Sequence, residues 1–153
     1  INNTEQYIPI SKKDKSEYVN EVLSKYIMDY EVLEHPEFDQ ITKLFSLAYK
    51  KMELKRIAHK YNSDILVIIN INYVKRIHLT MNGKGWHTLS NDEPISSKYY
   101  LKITIDSRLL YQILKGPKYA HWNNASIGSH IEYDRTPNRD DRSLRYCLNF
   151  LHS

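Results

Sequence analysis

Asp64-Ile65-Leu66-Val67-Ile68-Ile69-Asn70-Ile71 is an almost unbroken apolar run rich in β-branched residues. Its length and composition predict a buried strand, since a helix of that burial would run longer. Downstream, residues 74–81 alternate. Val74, Arg76, His78 and Thr80 share one face, and Lys75, Ile77, Leu79 and Met81 the other. Asn82-Gly83-Lys84-Gly85 follows, and Asn and Gly both tolerate the positive φ of a hairpin turn. Residues 86–89 return as the next strand. Residues 98–105 form another, with Tyr99, Leu101, Ile103 and Ile105 on one face. Asp106 then caps a helix over residues 107–115, which Gly116 closes and Pro117 prevents from continuing. A small segment over 119–127 reaches Gly128, a last strand spans 129–135, and Pro137-Asn138 opens a terminal helix burying Leu144, Cys147, Leu148 and Leu151.

Upstream the pattern is helical. All four glycines lie beyond residue 82, so residues 1–62 contain none. Ser11, with Asp14 three residues on, caps a first helix expected over 12–30. Tyr18, Val22, Tyr26 and Tyr30, flanked by Val19, Leu23 and Ile27, make one apolar stripe for a core or a partner. Pro36 opens a second helix carrying Phe38, Ile41, Leu44, Phe45, Ala48 and Met52 at helical spacing. The expected fold is α+β, a mostly antiparallel sheet with helices packed on one side, preceded by a two-helix N-terminal segment. The division expected is a helical segment over 1–62 and an α+β domain over 63–153.

Composition excludes several classes. The chain has 153 residues, 41% hydrophobic and 26% charged, which fits a folded domain and not general disorder. Net charge is +4, all of it in residues 63–153, and so small an excess calls for no nucleic-acid partner. One cysteine, Cys147, excludes an internal disulfide and a Cys-based zinc site, and fits a cytoplasmic location. No apolar run is long enough for a transmembrane segment. The chain opens Ile1-Asn2-Asn3-Thr4 without a leader pattern, and the missing Met points to a cut from a longer protein.

Chemistry concentrates in two places. His121-Trp122-Asn123-Asn124-Ala125-Ser126-Ile127-Gly128-Ser129-His130 crowds amides, an indole and two imidazoles into ten residues. His121, Trp122, Asn123, Asn124 and His130 can form a ligand or interface contact, or else a buried helix-to-strand corner with amides capping loose backbone. Arg135, Arg139 and Arg142, followed by Arg145, offer an anion contact or a solvated face with local ion pairs to Asp140 and Asp141. The seven histidines form no metal-binding motif; His78 and His87 can face each other across the hairpin, where a cross-strand surface pair is expected ahead of a metal site. No metal site, cofactor or catalytic residue is expected on these patterns.

From Asp64 onward, the layout resembles the sterol carrier protein type two fold. The passage from Ile103 through Asp106 and the leucine-rich helix to Gly116 looks like that family's strand, acid, helix and glycine. A narrower resemblance, over about 90 residues, is to the C-terminal extension of some bacterial metallo-β-lactamase-fold proteins. It is carried by Trp122–Ser129 and by Phe150-Leu151-His152. That fold's His-x-His-x-Asp-His metal cluster is absent here. The resemblance therefore implies a non-catalytic accessory domain of a larger bacterial metallohydrolase-like protein, shaping a substrate site or mediating contacts with the catalytic domain or within a homo-oligomer. The rivals are a free-standing carrier of a lipid or other apolar small molecule, and a small His-dependent metalloenzyme.

Overall fold

The structure, a computed structural model, describes residues 11–153; the opening Ile1-Asn2-Asn3-Thr4 lies outside the described residues. The chain divides into two compact units, Ile1–Leu33 and Glu34–Ser153. The boundary expected at residue 62 thus falls inside the second unit.

In the first unit, helix α1 spans Lys12–Glu21, and a 3-10 turn covers Leu23–Lys25. Ser11 caps α1 as the sequence predicts: its Oγ accepts from the Asp14 N–H at 3.1 Å, and Asp14 accepts in return from the Ser11 N–H. The helix does not reach Tyr30. Tyr18 and Tyr26 stay 55% and 59% exposed, and no residue of α1 is buried. A ten-residue helix without tertiary burial is marginal on propensity alone.

The second unit begins its core with helix α2, Phe38–Ala58. Ile41, Phe45, Ala48, Met52 and Arg56 line its buried face at spacings of three and four. These apolar residues are essentially inaccessible, so α2 is an integral layer of the α+β unit and not an attachment to it. Arg56 is tolerated there because Glu53 takes its guanidinium at 2.7 and 2.9 Å and the Tyr61 carbonyl accepts at 2.7 Å. Lys60, at φ 54°, turns the chain out of the helix.

Five strands follow: β1 Ser63–Ile71, β2 Lys75–Met81, β3 Trp86–Ser90, β4 Tyr100–Ile105 and β5 Ile131–Thr136. The sheet order is β3-β2-β1-β4-β5. Three pairings are antiparallel and the fourth, β1 with β4, is parallel, so the sheet is mixed. The run Asp64–Ile71 is central, as its unbroken apolar character requires. The parallel pair arises because residues 91–99 carry the chain from the β3 edge across two strands to β4. Arg76 braces this crossover, donating to Asn91 Oδ1 at 3.0 Å and the Glu93 carbonyl at 2.7 Å.

Register assigns the faces. Val67, Ile69 and Ile71 align with Leu79, Ile77 and Lys75 on one side and with Leu101, Ile103 and Ile105 on the other. This face meets the helices: Phe45 of α2 packs edge-on against Trp86 of β3, ring centroids 4.9 Å apart. The opposite face carries Ile68, Asn70, His78 and Thr104, all buried. There Asn70 donates to Thr104 Oγ1 at 3.2 Å.

Helix α3, Ser107–Lys115, starts at its Asp106 cap and ends at Gly116, whose φ of 119° suits only glycine. Helix α4 is the short Trp122–Ile127, and helix α5 is Arg142–Leu148. The terminal helix thus begins after Pro137-Asn138, because Asp141 supplies its cap, accepting from the Leu144 N–H at 2.9 Å. Arg139 therefore lies in the β5–α5 loop and not on the helix with Arg142 and Arg145.

Candidate functional site

The β4–β5 end of the helix-facing side is incompletely filled. A cavity of about 300 Å³ opens there between strands β4 and β5 and helices α4 and α5. Its floor is apolar. Leu101 and Ile103 come from β4, Trp122 from α4, Leu144 and Leu148 from α5, with Tyr133 of β5 beside them. Each is placed by periodicity: Leu101 and Ile103 alternate on β4, while Leu144 and Leu148 are one turn apart on α5.

The rim is charged. Arg135, Arg139 and Arg145 stand around it with Asp140, Asp141, Asn123 and Asn149. Asp140 is shared by two arginines, Arg145 at 3.1 Å and Arg135 at 3.8 Å. Arg135 also donates to Asn138 Oδ1 at 3.1 Å. Asp141 is committed to structure: besides capping α5, it accepts from the Tyr61 hydroxyl at 2.7 Å. Burial, reinforced by that bond, pushes the Tyr61 phenol far above its ordinary range, so Tyr61 stays a neutral donor. Among the described residues, the Arg139 guanidinium alone of the three rim arginines takes part in no ion pair or side-chain hydrogen bond.

The cavity brings together Trp122, Asn123, Arg135 and Arg139 of the residues singled out from sequence. Trp122 serves as floor: it is 4% exposed and its indole N–H donates to the Leu151 carbonyl at 3.0 Å. His121, Asn124, His130 and Arg142 do not line the cavity. His121 caps α4 through Nδ1, which accepts from the Asn123 N–H at 3.1 Å. Asn124 and Arg142 are exposed. His130 packs over Gly128 so closely that a Cβ there would lie 2.6 Å from Nε2. The ten-residue polar segment is thus both a contact segment and a corner: one side supplies cavity wall, the other caps and packs.

Sequence reading missed Tyr133, Ile65 and Asn149. Tyr133 sits on a strand of exposed residues, and only the register Ile103↔Tyr133 places it beside the cavity.

Other titratable groups lie apart. Cys147 is fully buried, and burial pushes its thiol up. Among the described residues, no group of three or more His, Cys, Asp or Glu is placed to hold a metal ion. No helix among them is long and apolar enough to cross a membrane. Comparison with known proteins finds no matching family model, no matching curated relative and no matching solved structure.

Proposed function

We propose that the Glu34–Ser153 unit binds a small amphipathic anion, with its apolar tail on the Leu101–Trp122–Leu148 floor and its charged head at the rim. The observation that carries this reading is the unpaired Arg139 guanidinium beside an apolar cavity. Magnitudes divide the labour. Each methylene buried contributes about 0.8 kcal/mol. A solvent-facing ion pair contributes about 0–1 kcal/mol. The tail therefore supplies most of the affinity, and Arg139 supplies preference for an anionic head over a neutral one. The cavity volume stands at the small end of ligand sites, fitting one modest tail and not a large ring system.

This develops the carrier reading of the sterol-carrier-like layout. Isothermal titration with medium-chain alkyl carboxylates tests it. Saturable one-to-one binding, abolished by filling the cavity with Leu144→Trp, is the expected result. Binding that survives in a folded Leu144→Trp variant refutes the site.

A second reading is favoured by the exposure of Asn123, Asn124 and Ile127, the last 75% accessible, within the stretch that resembles a metallo-β-lactamase-associated extension. An accessory domain would use that surface against its catalytic partner. Sequencing the gene upstream of Ile1 tests it: a His-x-His-x-Asp-His cluster there is expected, and its absence removes this reading.

A further inference from the structure

On the sheet face away from the cavity, His78 of β2 and His87 of β3 are direct cross-strand partners. Two strands in register hold their Cβ atoms as neighbours, so the pair is preorganised by the ladder. The imidazole centroids lie 5.5 Å apart with the rings tilted by 59°. His78 is 5% exposed, and its Nε2 is buried with no hydrogen-bond partner. Buried polar nitrogens in native folds nearly always have a partner, and one without invites a ligand. His87 is exposed, so solvent reaches the pair from the β3 side while His78 stays buried.

We propose that His78 and His87 form a two-imidazole site for a borderline divalent transition ion of the zinc, nickel and copper class. Imidazole is a preferred ligand for these ions. A tetrahedral ion about 2.0–2.1 Å from each ligating nitrogen holds the two ring centroids roughly 5 Å apart. The observed 5.5 Å lies within a small side-chain adjustment of that arrangement. No third His, Cys, Asp or Glu among the described residues completes a cluster, so water or an external ligand fills the remaining positions. The site is separate from the cavity, because His78 points opposite to Ile77 and Leu79 along β2.

The test is a titration of the full chain with Zn²⁺ alone, following the imidazole resonances of all seven histidines by NMR. Saturable shifts of His78 and His87 together are expected. His87→Ala removes an exposed ligand without opening the core, and should weaken zinc binding at least as much as the roughly 10–100-fold lost with outer-shell partners. Shifts confined to other histidines, no saturable shift at the pair, or unchanged affinity in His87→Ala would each overturn the proposal.

Discussion

The Trp122 indole N–H donates to the Leu151 carbonyl at 3.0 Å, and both residues are buried, at 4% and 0% exposure. This bond fixes the cavity floor to the segment after α5. Trp122→Phe keeps most of the ring but leaves a buried carbonyl without its donor, a loss of about 1–3 kcal/mol. Trp122→Ala also removes the ring, for about 3–5 kcal/mol. Urea midpoints should fall in that order. Equal midpoints for wild type and Trp122→Phe would show that the bond adds nothing.

Gly128 is needed for space, not for its backbone angle, which is an ordinary −74°. An added Cβ would meet His130 Nε2 at 2.6 Å and the Asn124 carbonyl at 3.2 Å. Gly128→Ala should cost about 1–3 kcal/mol, as overpacking does. His130→Ala in the same chain should recover part of it, measured as a positive coupling in a double-mutant cycle.

Acid should weaken the fold in two stages. Burial holds His78 and His152 below their ordinary 6.5, with His87 and Arg76 adding at His78 against an opposing pull from Glu93. The unfolded chain then binds more protons, so this stability is present above about 6.5 and is lost as pH falls from there through the lower folded values. Asp106 is opposed by burial, but hydrogen bonds from Arg108 win and hold its carboxyl below the usual range. Its share persists above the ordinary carboxylate pKa and disappears as pH falls below it. Urea midpoints from pH 8 to 3 should decline in both windows. A flat profile between pH 7 and 5 contradicts the histidine assignment.

Cys147 should resist alkylation. It is fully buried and its thiol is pushed up, so both access and thiolate fraction are low. Iodoacetamide should react at least about a hundredfold more slowly with native than with unfolded protein, as an opening free energy of roughly 3 kcal/mol requires. Mass spectrometry over time measures the ratio.

Much of this architecture is legible in the residues. The β-branched run at 64–71, the Asp106 cap, the Gly116 stop and the Gly83–Gly85 hairpin each act locally, and each element lies within a residue or two of its expected place. The parallel β1–β4 pairing is not local; it depends on where residues 91–99 travel, and the Arg76 bonds to Asn91 and Glu93 that brace that path join residues 15 and 17 apart. The β1–β2 turn also hid. Asn72 and Tyr73 both adopt positive φ, at 49° and 57°, and Asn alone would signal it. Its side chain accepts from the Ser107 N–H at 2.9 Å and donates to Ser107 Oγ at 3.0 Å, tying the turn to α3. For the cavity, Trp122, Asn123, Arg135 and Arg139 stood out because polar and aromatic side chains clustered in sequence. Leu101, Tyr133 and Leu148 read only as ordinary strand and helix residues, because nothing local distinguishes a floor from a core.

The proposed site takes an apolar tail inside and a charged head at Arg139. The most direct measurement is the affinity of alkyl carboxylates of increasing length, each paired with the alcohol of equal length, for wild type and Arg139→Gln. Affinity should rise about fourfold per added methylene until the cavity fills, following 0.8 kcal/mol per CH₂. The carboxylate should bind better than the alcohol by up to about fivefold, an advantage that Arg139→Gln erases without altering the alcohol's affinity. Affinity independent of tail length, or an undiminished carboxylate preference in Arg139→Gln, would rule out this site.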